Sequence, residues 1–446
     1  MTMPNSAAII LAAGLGTRMK STLPKVMHPL AGRPMVNHVI ANLQNAGISQ
    51  LVCVVGPDMP DLENAVAPHK TAIQADRLGT GHAVLAAKDV MAGFNGSVLI
   101  AFGDTPLISE HTFKKMLEAG QSGDVVVLGF RPADPAAYGR LVVDADGALS
   151  AIVEYKDATE DQRAINLCNS GVMCINGAKL FGLLDRIKND NAAGEYYLTD
   201  IVALAREDGL ECRVVEGDEE ELLGVNSRVE LARAEAIVQN QLRHQAMING
   251  ATLLDPSTTY FSFDTQLGKD VMVEPNVFFG PRVTVGDNAH IKAFSHLEDA
   301  TVGNEVIMGP YARLRPGTDL KDKVKVGNFV EIKKALIEEG AKVNHLTYIG
   351  DARVGPNANI GAGTITCNYD GYFKYHTDIG ADAFIGSNTA LVAPVKVGDG
   401  ANIGAGSVIS KDVDGGDLGL TRSAQKNFKG WATKFRARQA QAKNKK

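Results

Sequence analysis

Short apolar runs alternate with helical stretches along the first half of the chain. The runs AAIILAAG, LVCVVG and SVLIAFGD begin at Ala7, Leu51 and Ser97, and apolar residues recur at helical spacing near 35–46 and 83–92. This alternation predicts an α/β, Rossmann-like domain with a mostly parallel sheet that helices cover on both faces. Because ligands of such sheets bind beyond the carboxyl ends of the strands, the residues that follow each run are candidates for a site.

The second half of the chain repeats an aliphatic residue at every sixth position. The repeat is regular at Ile379, Ile385, Leu391, Val397, Ile403 and Ile409, and the same spacing occurs over 271–283 and 302–320. Hexapeptide repeats predict a left-handed parallel β-helix with three short strands per coil and the aliphatic side chains inside. Two breaks in the period, around 333–346 and 367–377, are predicted to be loops that leave the coil.

These patterns divide the chain into three parts, 1–226, 227–248 and 249–446. The middle part has apolar residues at helical spacing and no glycine or proline, which predicts a linker helix. The last part ends in the basic stretch KNFKGWATKFRARQAQAKNKK. This tail is expected either to be solvated, with a frayed end, or to fold over an anionic ligand.

Composition narrows the class of protein. A chain of 446 residues suggests about two to three domains, and the net charge of -6 gives no reason to expect nucleic acid or an anionic membrane as a partner. The start of the chain does not resemble a cleavable leader, and no apolar run reaches the roughly 18 residues of a membrane span. We therefore expect a cytoplasmic protein without membrane insertion. Its five scattered cysteines include no CxxC pair, so they are predicted to be reduced, buried thiols.

A glycine turn follows the first apolar run. Backbone N–H groups in such a turn suit a phosphate, yet Gly14-Leu15-Gly16 is followed neither by the third glycine of a dinucleotide fingerprint nor by Gly-Lys-Ser/Thr. Arg18 and Lys25 lie seven residues apart beyond the turn and could clasp a triphosphate. Taken alone, they could equally be a solvated surface pair.

Two further residues carry candidate chemistry. Asp104 ends the run SVLIAFGD, where a carboxylate could hold a divalent cation, although a capping or turn aspartate is the alternative. His345 has an intrinsic pKa suited to a general base, although a lone histidine is more often packed or solvated. Arg315 and Lys333 are cations that could bind a phosphate near this histidine.

Eight motifs of the first half occur in the order of a known family. They are LAAGLGTRM…LPK, QADRLGTGHA, FGDTPL, YGRL, IVEYKDA, NSGV, GEYYLTD and GVNSR. With them, almost the whole chain resembles the bifunctional bacterial N-acetylglucosamine-1-phosphate uridylyltransferase/glucosamine-1-phosphate N-acetyltransferases. The resemblance implies acetylation of glucosamine 1-phosphate by acetyl-coenzyme A, followed by Mg²⁺-dependent uridylyl transfer from UTP. The product, UDP-N-acetylglucosamine, would serve peptidoglycan and lipopolysaccharide synthesis.

The resemblance also assigns residues of the uridylyltransferase site. Catalysis falls to Lys25 and Arg18, and the metal to Asp104 and Asn226. Nucleotide and sugar binding fall to Leu11, Ala12, Ala13, Gly14, Lys25, Gln74, Gly79, Thr80, Gly139, Glu154, Asn169, Thr199 and Asn226. Leu15 and Phe102 depart from the lysine and tyrosine that are frequent in the family, which removes one possible cation and one hydroxyl.

In the acetyltransferase half the resemblance makes His345 the base, and Glu331 is expected to orient it. The acetyl acceptor falls to Arg315, Lys333, Tyr348 and Asn359. Acetyl-coenzyme A falls to Asn368, Tyr369, Ser387, Ala405 and Arg422. In this family the coenzyme lies between subunits, which implies a homotrimer.

Two alternatives keep one activity each. In the first, the chain is a sugar nucleotidyltransferase whose β-helix only oligomerises. In the second, it is a β-helix acyltransferase with an inactive nucleotidyl domain. The order of the candidate residues in each half argues against both.

Overall fold

The computed structural model of the chain describes residues 5–135 and 137–444, which form two compact units that divide between Leu242 and Arg243. The strands of the first unit are β1 (Ser6–Leu11), β2 (Pro29–Leu30), β3 (Arg33–Pro34), β4 (Gln50–Val55), β5 (Lys70–Ile73), β6 (Ser97–Phe102), β7 (Val125–Phe130), β8 (Arg140–Val143), β9 (Leu149–Val153), β10 (Cys168–Asn176) and β11 (Cys212–Glu216). The helices are α1 (Met35–Asn45), α2 (Pro60–Val66), α3 (Thr80–Leu85), α4 (Glu110–Ala119), α5 (Glu160–Arg163), α6 (Gly177–Leu184), α7 (Ile201–Glu207) and α8 (Arg228–Ile248), the last of which crosses the division. Among the described residues, no helix combines the length and apolar character that a membrane crossing requires.

The sheet of the first unit is mostly parallel, as the sequence predicts. Its main path runs β11-β7-β10-β6-β1-β4-β5, and β10 is antiparallel to both of its neighbours on this path. β1 is apolar throughout because both of its faces are covered: Ile9 packs into one core and Ile10 into the other. Leu11 pairs with Val54 and with Phe102. The carboxyl ends of β1, β4 and β6 therefore meet at one edge of the sheet.

The second unit is a parallel β-helix with three ladders of strands. The first ladder is β12 (Thr252–Leu253), β14 (Met272–Val273), β17 (His290–Ile291), β20 (Ile307–Met308), β23 (Lys325–Val326), β25 (Lys342–Val343), β27 (Asn359–Ile360), β30 (Phe384–Ile385), β33 (Asn402–Ile403) and β35 (Leu418–Gly419). The second is β13 (Gln266–Leu267), β16 (Val283–Val285), β19 (Ala300–Val302), β22 (Thr318–Leu320), β24 (Val330–Ile337), β26 (Thr347–Val354), β29 (Thr377–Ile379) and β32 (Val395–Val397). The third shares β24 and β26 and adds β15 (Phe278–Phe279), β18 (His296–Leu297), β21 (Arg313–Leu314), β28 (Ile365–Cys367), β31 (Ala390–Val392) and β34 (Val408–Ile409).

The six-residue period places its aliphatic side chains inside the coil, as predicted. Every one of the six regular positions between Ile379 and Ile409 is at most 3% exposed. Four of the five cysteines are buried and Cys367 is partly exposed; all five are free thiols. The basic tail contains a helix, α9 (Trp431–Lys443), that is exposed along its whole length.

One of the two predicted loops is wrong. Residues 333–346 stay in the coil, because β24 pairs with β26 in register and β25 continues the first ladder. Lys325 pairs with Lys342 and Lys342 with Asn359, each 17 residues on, whereas Ile307 pairs with Lys325, 18 residues on. Coils that are one residue shorter shift the phase of the repeat, and the sequence alone makes this shift look like an interruption.

The second predicted loop is confirmed. Asn359 pairs with Phe384, 25 residues on, so this coil carries extra residues. The excursion is narrow because Tyr369 and Lys374 form an isolated antiparallel bridge across it. Its tip exposes 87% of Tyr372 and 68% of Phe373.

The inward position of Leu391 gives a test of the coil. We expect Leu391→Ala to cost about 2–5 kcal/mol, because it leaves a cavity between stacked coils. The neighbouring Val392→Ala, on the outer side of the same strand, should cost about 0.5 kcal/mol or less. Calorimetry of the β-helix transition measures both, and equal losses would contradict the assigned strand orientation.

Candidate active sites

A cavity of about 280 Å³ opens at the carboxyl edge of the sheet in the first unit. It is lined by Leu11, Ala12, Ala13, Gly14, Lys25, Val26, Gln74, Arg77, Gly79, Thr80, Ala83, Phe102, Asp104 and Glu195. Most of these residues were predicted from the glycine turn and from the family resemblance. Arg77 and Glu195 lie inside quoted motifs but were not singled out, because spacing alone does not show which charged side chains face a cavity.

The glycine turn brings Lys25 against the end of β1. Gly16 has a left-handed backbone, with φ of 63°, and a Cβ there would overlap the Cβ of Lys25. Lys25 therefore reaches the cavity. Arg18 is exposed in the short turn Thr17–Met19 and does not line the cavity, so the predicted clasp of two cations is not assembled here.

Lys25 connects two oxygen donors. Its Nζ forms an ion pair with Asp104 and donates to Oδ1 of Asn226 at 3.0 Å. The Asn226 backbone N–H donates to Glu230 at 2.7 Å, and the Val225 N–H donates to the Asp104 carbonyl at 2.8 Å, so Asp104 and Asn226 are held side by side. Two oxygens that converge on one ammonium also suit a Mg²⁺ ion, which takes one or two protein oxygens and completes its shell with phosphates and water. Over residues 5–135 and 137–444 no cluster of three or more acidic, histidine or cysteine side chains offers a fuller metal site.

Gln74 occupies the opposite end of the cavity and is 5% exposed. Its Nε2 donates to the Gly79 carbonyl at 3.2 Å. Gly79 has φ of 121°, and a Cβ there would lie 2.6 Å from the Tyr196 carbonyl oxygen. Thr80 Oγ1 accepts from the Leu198 N–H at 3.1 Å. The loop that carries Gly79 and Thr80 is therefore fixed against the segment GEYYLTD.

The residues assigned to the amino sugar form a second group in the same unit. Thr199 donates to Glu154 at 3.4 Å, and a Cβ on Gly139 would lie 3.5 Å from both carboxylate oxygens of Glu154. The Asn169 N–H donates to the Gly139 carbonyl at 2.8 Å, and the Asn169 side chain accepts from Gly171 at 2.9 Å. Burial raises the pKa of Glu154, and the Thr199 hydroxyl offsets part of this effect.

In the second unit a cluster of cations lies on the β-helix. Arg315 donates to Glu331 at 2.8 Å, and Arg313 lies 3.7 Å from the same carboxylate. The ammonium of Lys374, then partial burial and Arg315, lower the pKa of Lys333. Lys374 was not predicted, because only the bridge between Tyr369 and Lys374 brings the excursion back to the coil. Such a group of like charges is suited to a phosphate.

His345 is exposed on the coil rather than in a loop. Its carbonyl accepts from the Gly363 N–H at 3.0 Å and from Thr347 Oγ1 at 2.9 Å. Among the described residues Glu331 bonds to arginines and not to His345, so the expectation that Glu331 orients the histidine is wrong. The arginines compete successfully because they offer full positive charge at close range.

The remaining predicted residues fall into two groups. A Cβ on Gly350 would overlap Tyr348 Oη and would lie 2.8 Å from Asn368 Nδ2, so these two side chains meet above Gly350. Asn359 accepts from Asn344, the neighbour of His345, at 3.2 Å. Ser387, Ala405 and Arg422 form the second group: the Ser387 carbonyl accepts from Gly406, and Arg422 donates to the Ala405 carbonyl at 2.9 Å. The Tyr369 ring is 59% exposed beside the excursion.

Comparison with known proteins places both halves of the chain in known families. The MobA-like NTP transferase domain family matches residues 8–169, and the bacterial transferase hexapeptide family (six repeats) matches residues 264–298 and 376–411. The hexapeptide match agrees with a left-handed β-helix. "Bifunctional protein GlmU" of Paramagnetospirillum magneticum is 61% identical over 100% of both chains. The proteins of the same name from Rhodospirillum rubrum and Sphingopyxis alaskensis are 61% and 53% identical, over 98% and 96% of each chain.

The raised pKa of Glu154 predicts a pH-dependent stability. Above that raised pKa the folded protein carries a buried charge, whereas below the ordinary value near 4.5 the carboxyl is protonated in both the folded and the unfolded state. We therefore expect Glu154→Gln to raise the melting temperature at pH 7 and to lose this gain as the pH falls towards 4.5. Thermal melts across this pH range measure the difference. Glu220→Gln, at an exposed loop position, is the matched control, and an equal gain for both variants would exclude burial as the cause.

Proposed function

Because this chain belongs to the family of the bifunctional protein GlmU, we propose that it makes UDP-N-acetylglucosamine in two steps at two sites. The first step transfers the acetyl group of acetyl-coenzyme A to glucosamine 1-phosphate. The second transfers uridylate from UTP to N-acetylglucosamine 1-phosphate and releases pyrophosphate. The observation that carries the proposal is the likeness to GlmU proteins over the full length, because it includes both catalytic halves.

We assign uridylyl transfer to residues 1–226. An oxygen of the sugar 1-phosphate attacks the α-phosphorus of UTP, and the bond to the pyrophosphate oxygen breaks. Mg²⁺ held by Asp104 and Asn226 supplies neutralisation of phosphate charge. Lys25 then turns its ammonium from these two oxygens to the phosphates, and the glycine turn offers backbone N–H groups. Their proximity in the cavity supports this assignment.

Recognition of the two substrates would use opposite ends of the same unit. Gln74 can both donate to and accept from a uracil edge, with Gly79 and Thr80 held beside it. The group of Gly139, Glu154, Asn169 and Thr199 offers acceptors and donors for the hydroxyl and acetamido groups of the sugar.

We assign acetyl transfer to residues 249–446, with the helix at 227–248 as the linker. His345 removes a proton from the amine as the nitrogen attacks the thioester carbonyl, and coenzyme A leaves as its thiol once it is protonated. Arg315 and Lys333 bind the 1-phosphate, and Lys374 adds a third cation. Tyr348 and Asn359 orient the sugar, while Asn368, Tyr369, Ser387, Ala405 and Arg422 hold the coenzyme.

The active assembly in this proposal is a cytoplasmic homotrimer. Phe294, Tyr311 and Phe329 stack on successive coils with ring centroids 4.8 and 5.2 Å apart, and each ring is about half exposed. An apolar column of this size supports cover by a second copy of the chain. Five free cysteines fit a reducing compartment.

The metal site is tested by Asp104→Asn. This change removes the carboxylate charge, so we expect uridylyl transfer to fall by at least about a thousandfold. Binding of Mn²⁺, followed by electron paramagnetic resonance in the presence of UTP, should weaken in parallel. Acetyl transfer should be unchanged and shows that the variant is folded. If Mn²⁺ bound the variant as it binds the wild type, the metal would have to lie elsewhere.

The acetylation site is tested by His345→Ala in a mass-spectrometric time course with glucosamine 1-phosphate, acetyl-coenzyme A, UTP and Mg²⁺. Loss of the base should slow acetylation by about a hundredfold to ten-thousandfold. The variant should still make UDP-N-acetylglucosamine when it receives N-acetylglucosamine 1-phosphate. Normal acetylation by the variant would reassign the base, and a wild-type protein that never acetylates would leave the β-helix as a scaffold.

A further inference from the structure

Arg77 is a cation of the nucleotide cavity to which the assignment above gives no role. Its Nε donates to the carbonyl of Ala13, in the glycine turn, at 2.8 Å. A Cβ on Gly56, just after β4, would overlap Nη2 of Arg77, so the absence of a side chain at Gly56 leaves room for the guanidinium. The guanidinium is therefore held between the ends of β1 and β4, while the side chain lines the cavity.

The tether leaves most of the guanidinium donors available. Nη1 and Nη2 of Arg77 make no hydrogen bond or ion pair with any residue of 5–135 or 137–444. The ammonium of Lys25, by contrast, is engaged by Asp104 and Asn226. A guanidinium has donors only, and here a pair of them is already oriented towards a cavity. This arrangement suits an acceptor group on a ligand.

The sheet order indicates which part of the ligand Arg77 meets. The neighbours are β6-β1-β4-β5, with Asp104 just after β6 and Gln74 just after β5. Arg77 lies between the ends of β1 and β4, on the side of β1 away from Asp104 and towards Gln74. It is thus displaced from the reacting phosphates towards the base.

We propose that Arg77 binds the uridine part of the nucleotide, with its Nη groups donating to oxygen atoms of the uracil or ribose. The proposal rests on the function proposed above and adds a specificity-determining residue to its first site. Uridine is common to UTP and to UDP-N-acetylglucosamine, so Arg77 serves substrate and product equally.

Isothermal titration of the full chain with three ligands tests this role. The ligands are UMP, UDP-N-acetylglucosamine and Mg²⁺-pyrophosphate. Arg77→Ala should weaken the first two about tenfold, the range of a hydrogen bond to a charged group, and leave pyrophosphate unchanged. Arg18→Ala should do the reverse, because Arg18 was assigned to the phosphates. Arg131→Ala, which removes an exposed arginine paired with Glu216, should change none of the three affinities.

Arg77→Gln separates binding from support of the loop. Glutamine can still donate to the Ala13 carbonyl but lacks the charged fork, so UMP should bind this variant as weakly as the alanine variant. Recovery of UMP binding in Arg77→Gln, or weaker binding of all three ligands to Arg77→Ala, would make Arg77 a support of the glycine turn and overturn the proposal. Weaker pyrophosphate binding alone, or no change, would also overturn it.

The same experiment separates this proposal from the proposed function. If the wild-type protein bound neither UMP nor UDP-N-acetylglucosamine, the uridylyltransferase assignment itself would fail. If it bound both and only the variants departed from expectation, the role of Arg77 alone would fail. Acetyl transfer by every variant reports that the chain is folded.

Discussion

Parallel pairing of neighbouring strands in fixed register is the constraint on which both units depend. In the first unit the pairing of Leu11 with Val54 and Phe102 aligns three strand ends, so residues far apart in the chain face one cavity. In the second unit the same kind of pairing stacks successive coils, so that Arg313 lies beside Glu331 and Glu331 beside Tyr348. Side chains that follow or decorate these strands then take their places without long-range design of their own.

The charges of the two candidate sites are arranged in two ways. Lys25 and Arg315 are held by carboxylates, so each has a defined position before any phosphate arrives. Lys333 and Lys374 instead lie close to one another, and their repulsion favours an anion between them. Paired cations provide position and unpaired cations provide attraction. A site for phosphorylated substrates can use both.

Much of the candidate site could be predicted from sequence, because several of its residues sit in short motifs at strand ends. Lys25, Gln74 and Asp104 were predicted and do line one cavity. Arg77 and Lys374 were missed, since their importance depends on where a loop returns in space. Glu331 was given to the histidine, but two arginines on neighbouring coils take its carboxylate.

The sequence by itself determined the two architectures, because apolar periodicity follows directly from which side chains a sheet or coil must bury. It also predicted the excursion near Tyr369, whose residues exceed the length of one coil. Tertiary structure decided the strand direction of β10, the continuity of the coil through 333–346 and the partners of each charge. These depend on pairing between distant segments, and such pairing leaves no regular period along the chain.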